Sequence, residues 1–124
     1  MDVAAEIDAS SDRLWWFLGN TSRWPAWGPS VLAVEPPARD VEPGLRGRVR
    51  TRGGFWLPFE VTEVDPGAAW RWRVAGIPAT GHRVERLGPE RCRVVFEVPS
   101  WAAPYALVCR LALRRLARLA VTGP

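Results

Sequence analysis

A single stretch near the C-terminus repeats its apolar residues with helical period, while most of the chain before it alternates with period two. Between Ser100 and Val121, Tyr105, Val108, Cys109, Ala112, Leu113, Leu116 and Ala120 fall on one half of a helical wheel, and Arg110, Arg114, Arg115 and Arg118 on the other. Ser100 reads as its N-cap, and Pro104 comes early enough to be tolerated in a first turn. At about 1.5 Å per residue, roughly 18 helical residues span about 27 Å, the length of a small domain. One amphipathic helix cannot bury its own face. It requires a sheet with an apolar face, and the preceding sequence supplies one.

Val31 to Glu35 is a short strand candidate, followed by a loop containing Pro36, Pro37, Pro43 and Gly44. From Arg46 to Arg52, arginine at 46, 48, 50 and 52 alternates with Gly47, Val49 and Thr51, the mark of a strand with one solvated face. Gly53-Gly54 predicts a two-residue hairpin, with Phe55 to Val64 as the returning strand, and Asp65-Pro66-Gly67 turns the chain again. Trp70, Trp72 and Val74 then alternate with Arg71 and Arg73. Gly76 to Gly81, with Pro78 inside, reads as a loop. His82 to Leu87 and Arg91 to Val98 form a last hairpin. With Val3 to Ile7 this makes about seven strands, mostly consecutive, which predicts an antiparallel meander.

The remaining structure lies between Ile7 and Trp27, which holds half of the eight tryptophans. A strand end is followed by cap-type residues Asp8, Ser10, Ser11 and Asp12, then a short apolar helix from Leu14 to Leu18. Ser10 is the expected N-cap, Gly19 the expected C′ residue, and Leu14, Trp15 and Leu18 the expected packing face. A second helical turn closes at Trp24-Pro25-Ala26-Trp27. The pattern I-D-A-x-x-D-x-L-W-x-x-L-x-N-x-S-R-W-P-x-W resembles the opening segment of the START-like (SRPBCC) superfamily, which includes polyketide cyclases/dehydrases and lipid-transfer proteins. Phe59 to Pro66 and Trp70-Arg71-Trp72 look like its middle strands, so the resemblance extends over nearly the whole chain. It implies an α+β helix-grip fold: a curved antiparallel sheet of about seven strands wrapped around a long C-terminal helix, with two short helices after the first strand. It also implies a cavity between sheet and helix.

A chain of 124 residues suffices for one domain, taken as residues 1–124. All 17 basic residues are arginine and the formal charge is +4, which permits an acidic partner such as a carrier protein without demanding one. Nucleic acid is not indicated. No basic region followed by an apolar run opens the sequence, and no apolar stretch approaches the length of a membrane span, so a cytoplasmic protein is expected. Cys92 and Cys109 lack metal-like spacing and are expected to be reduced core residues. Neither a metal nor a cofactor is called for. No serine/histidine/aspartate order, paired carboxylates or glycine-rich phosphate loop occurs.

The candidate ligand-binding residues are Trp70, Trp72, His82, Phe59, Phe96 and Tyr105. The two tryptophans share the apolar face of one strand, where large rings can either fill core or wall a ligand pocket. Phe59 and Phe96 allow the same two readings, and Tyr105 places a hydroxyl needing a partner on the apolar half of the long helix. His82, the sole histidine, shares a face with Val84, and there an imidazole could make ligand interaction depend on pH between about 5 and 8. Three functions remain open. One is binding of a small hydrophobic molecule, whether lipid, aromatic or polyketide-like. The second, implied by the resemblance, is a polyketide aromatase/cyclase-like enzyme. The third is an interaction module whose outer face carries Arg48, Arg50, Arg71, Arg73, Arg83, Arg91 and Arg93 beside Glu60, Glu85 and Glu97. Leu107 and Leu111 fall inside the arginine arc of the helix, a hint of self-association.

Overall fold

A computed structural model describes residues 1–122. Its seven strands are β1 (Asp2–Ile7), β2 (Val31–Glu35), β3 (Arg46–Thr51), β4 (Trp56–Asp65), β5 (Ala69–Val74), β6 (Ile77–Gly88) and β7 (Arg91–Glu97). They form one antiparallel sheet in the order β1-β7-β6-β5-β4-β3-β2. The first two strands therefore sit at opposite edges, and helices α1 (Ser11–Leu18) and α2 (Trp24–Trp27) carry the chain between them. Helix α3 (Ala106–Thr122) packs against β1, α1 and α2, burying Ala106, Cys109, Ala112, Leu113, Leu116 and Ala120. This is the helix-grip arrangement.

Strand parity decides what meets the helix. Phe59, Val61, Trp70, His82, Val84, Cys92, Val94 and Phe96 face inward and are buried with it. On the outer face Glu97 takes Arg71 and Arg83, Glu85 takes Arg83 and Arg93, and Glu6 takes Arg91 and Arg93. The Glu6 carboxyl is held below its ordinary range by hydrogen bonds from Arg91 and then Arg93, and that of Glu85 by Arg83 and then Arg93. Exposed as they are, such pairs are individually weak and screened by salt. These arginines are spent within the sheet.

The short helices are fastened by their own aromatic residues. Ser10 Oγ accepts the Arg13 N–H at 3.1 Å, the expected N-cap. The freed carbonyls at the C-terminal end of α1 accept indole N–H groups: Trp24 donates to Leu18 O at 3.0 Å and Trp27 to Phe17 O at 2.9 Å. Arg13 reaches the other end of the fold and donates to Ala120 O and Leu119 O on α3.

The structure departs from the sequence expectations at five places. Gly19 is not left-handed, with φ −92°; its lack of a Cβ is required because the Trp15 ring would lie 2.8 Å away. On α1, Phe17 is buried with Leu14 and Leu18, whereas Trp15 is only half-buried, since the helix is roofed by α2 and α3 rather than by the sheet alone. The β3–β4 loop exceeds two residues, Gly54 taking φ +83° while the Thr51 N–H donates to Phe55 O at 2.9 Å. Residues 77–81 belong to β6 rather than to a loop, because Pro78 pairs in register with Arg73 and the turn is confined to Ala75 and Gly76, at φ +53° and +77°. Ser100 does not cap α3. A 3-10 segment, Ser100–Tyr105, precedes the helix, broken by Ala102 at φ −108° and containing Pro104, which cannot donate.

Candidate functional site

A cavity of about 260 Å³ opens between the sheet and the 3-10 segment ahead of α3. Val49, Thr51 and Leu57 wall it from β3 and β4, Trp72 and Val74 from β5, and Ala79 and Thr80 from β6. Ser30 and Val31 close one side, and Trp101, Ala102 and Tyr105 the other. Trp101 is 65 % exposed, so one flank of this wall reaches solvent. The lining is almost wholly apolar, relieved by four hydroxyls.

Adjoining it is a smaller void of about 40 Å³, bordered by Trp24, Trp27, Trp70, His82 and Phe96. Five residues border both spaces: Ser30, Val31, Trp72, Thr80 and Tyr105. Two of them are joined, Ser30 Oγ and Tyr105 OH lying 2.5 Å apart across 75 residues of sequence. Burial raises the Tyr105 phenol, the Ser30 bond lowers it, and the former prevails although 37 % of the residue is exposed. The phenol therefore stays protonated at neutral pH. Cys109, another wall of the void, is pushed up to about 11 by burial and is a free thiol, as is Cys92.

Of the sequence candidates, Trp72 and Tyr105 border the open cavity, while Trp70, His82 and Phe96 border only the void. Phe59 borders neither, packing instead on Trp24 and Trp72 with ring centroids 5.5 and 5.7 Å away. Trp24, Trp70 and His82 form a continuous stack, 4.9 Å apart at 8° and then 3.9 Å apart at 22°. Such contacts each contribute about 0.5–1.5 kcal/mol beyond area burial, so this stack is a principal anchor of the interior.

His82 is buried, and desolvation pulls its pKa down to about 3 against the opposing effect of the Trp70 carbonyl. The ring is thus neutral, which fixes its hydrogen-bond directions. Trp70 O can only accept, so Nδ1 carries the proton and donates to it at 3.4 Å. Nε2 then accepts the Thr80 hydroxyl at 3.2 Å, and Thr80 Oγ1 accepts the Trp72 indole N–H at 3.3 Å. Both imidazole nitrogens are bound to protein, and His82 acts on the cavity through Thr80. The pH dependence expected between about 5 and 8 is therefore corrected: burial moves this titration well below that window.

Sequence reasoning missed Thr80, Val49, Leu57, Val74, Ala79, Ser30 and Trp101. Parity with His82, Phe59 and Trp72 could have found Thr80, Leu57 and Val74, whereas Ala79 has the opposite parity to His82 and nothing local marks Ser30. Among the described residues no group of three or more histidine, cysteine, aspartate or glutamate side chains is placed to hold a metal. No described helix is long and apolar enough to cross a membrane.

A family model described as polyketide cyclase/dehydrase and lipid transport matches residues 1–122. No protein of curated function matches the sequence. Among solved structures, the protein XoxI from Bacillus cereus is similar at 13% identity with a TM-score of 0.77, over 98% of this chain and 95% of that one. The Aha1 dimer from Colwellia psychrerythraea is similar at 18% identity and TM-score 0.74, over 99% and 96%. DynU16, a protein of the dynemicin biosynthetic locus, is similar at 22% identity and TM-score 0.70, over 99% of this chain but 47% of that one. At these identities the likeness is one of fold.

Proposed function

The chain belongs to the polyketide cyclase/dehydrase and lipid transport family, and from that premise we propose that it binds a compact hydrophobic molecule between the sheet and the C-terminal helical segment. The observation that carries this reading is the cavity itself, an apolar space open at one flank with hydroxyls at fixed points. Ligand pockets generally measure about 300–1,000 Å³, so a space of about 260 Å³ suits a small aromatic or branched molecule better than a full-length phospholipid. Trp72 supplies a flat apolar wall, Tyr105 and Ser30 a polar rim, and Thr80 a hydroxyl whose direction is fixed by His82. A titration of methyl-labelled protein with methyl β-naphthyl ketone tests it. Shifts at Val31, Val49, Leu57 and Val74 are expected, whereas shifts confined to the exposed Leu107 and Leu111 would contradict it.

A polyketide-related role is the second reading, supported by the family and by the likeness to a protein of the dynemicin biosynthetic locus. The Tyr105 phenol, protonated and held by Ser30 at the cavity wall, is the group best placed to donate to a ligand carbonyl. Turnover of an aromatic polyketide precursor that is lost in Tyr105→Phe while binding persists would favour this reading over simple carriage.

A further inference from the structure

Among the described residues, one buried side-chain polar atom has no partner. The Trp70 indole Nε1–H is sealed from solvent and makes no hydrogen bond, although every other indole in this cluster donates: Trp24 to Leu18 O, Trp27 to Phe17 O and Trp72 to Thr80 Oγ1. Leaving such a donor unsatisfied is costly, and buried polar groups are almost always paired. The ring is held in place between Trp24 and His82, so it cannot turn to find a partner.

Trp70 borders the void of about 40 Å³ that adjoins the main cavity. A buried water needs on the order of 10–15 Å³ of such space, so the void admits one oxygen atom with its substituent but not a ring. The two spaces meet at Trp72, Thr80, Ser30 and Tyr105, so a molecule lying in the outer one can send a small group into the inner one.

The chemistry of that group follows from which hydrogens are free. The Thr80 hydrogen is committed to His82 Nε2 and the Trp72 N–H to Thr80. In the Ser30–Tyr105 pair one hydroxyl donates and the hydrogen of the other remains available. Two hydrogens are thus unspent, one hydroxyl of that exposed pair at the junction and the Trp70 N–H deeper in, and only the latter is sealed from solvent and so calls for an acceptor.

We infer that the void is an acceptor subsite: the ligand of the proposed cavity carries a carbonyl oxygen that enters the void and accepts the Trp70 Nε1–H. This rests on the cavity-binding reading and adds the group the ligand must bear. Trp70 is then the residue that selects oxygenated over purely hydrocarbon ligands.

Two probes of one shape separate this from cavity binding alone: methyl β-naphthyl ketone and β-isopropenylnaphthalene, which exchanges the carbonyl oxygen for a methylene. With wild-type protein the ketone is expected to bind roughly tenfold more tightly, the effect of pairing one buried donor. The Trp70 indole proton, assigned through space from the neighbouring His82 and Trp24 rings, should move downfield with the ketone and not with the hydrocarbon. In Trp70→Phe the preference should disappear while the hydrocarbon still binds. Equal affinities with an unmoved Trp70 proton would overturn the acceptor subsite and leave the cavity reading intact. Binding of neither probe would overturn both. Should Trp70→Phe fail to fold, the probe comparison and the indole shift in wild-type protein decide alone.

Discussion

His82 lies flat against the Trp70 indole, 3.9 Å between ring centroids, and donates from Nδ1 to the backbone carbonyl of the same residue. One tryptophan therefore both covers the imidazole and fixes its tautomer. In that setting the histidine is a structural hinge of the polar chain reaching Thr80 and Trp72, and its proton affinity becomes a property of folding.

The first prediction follows from that depressed pKa. The folded-state value is about 3 against about 6.5 for an unperturbed histidine, so below pH 6.5 the unfolded chain takes up a proton that the folded one refuses. The contribution is complete above about pH 6.5 and is lost as pH falls, at up to about 1.4 kcal/mol per unit, or roughly 2 kcal/mol by pH 5. Glu6 and Glu85, both lowered from 4.5, shift stability in the same direction only at lower pH. Denaturant unfolding from pH 7 to 5 should show the slope in wild-type protein, and His82→Gln should flatten it. An unchanged slope in the variant would assign it elsewhere.

Thr80→Val keeps the shape of the side chain and removes the hydroxyl between Trp72 and His82. It strands a buried acceptor and donor, so a loss of about 1–3 kcal/mol is expected. Thr80→Ser should recover most of it. Equal stability of Val and Ser variants would mean that the chain of bonds carries no weight.

Gly47→Ala should destabilise the protein by about 1–3 kcal/mol, because an added Cβ would run into the Glu35 carbonyl and the Pro36 ring, neither of which can swing away. Gly67→Ala meets no atom, and its cost comes from φ +79° alone, about 1 kcal/mol. Thermal unfolding of the two variants should rank them in that order.

Glu97 joins Arg71 and Arg83 on the solvated face. Glu97→Gln should cost on the order of 1 kcal/mol at low salt and less at high salt, without altering ligand affinity. A loss of binding in that variant would link the outer ion pairs to the cavity.

Much of this was legible in the sequence because periodicity is set by which face is buried. The alternation of Trp70 and Trp72 with Arg71 and Arg73 placed the aromatics inward, and the arc from Val108 to Ala120 placed the helix on them. The site was less legible. Parity says that Phe59 and Trp72 face the same side, but only the approach of Trp24 from α2 decides that Phe59 is packed over while Trp72 borders open space. Ser30 and Tyr105 meet across 75 residues, and no local pattern encodes such a pairing. The start of α3 was misplaced because Ser100 and Pro104 satisfy helix-start rules that a preceding 3-10 segment satisfies equally.

If a hydrophobic molecule binds, as proposed, in the space between β3, β4, β5, β6 and the segment ahead of α3, filling that space must weaken its binding. Calorimetric titration of methyl β-naphthyl ketone into wild-type protein and into Ala79→Phe tests it most directly, because Ala79 lines the cavity and phenylalanine is favoured in a strand. One-to-one binding by wild-type protein is expected, with at least a tenfold loss in a variant that unfolds at a similar temperature. Equal affinity in the two proteins would contradict it.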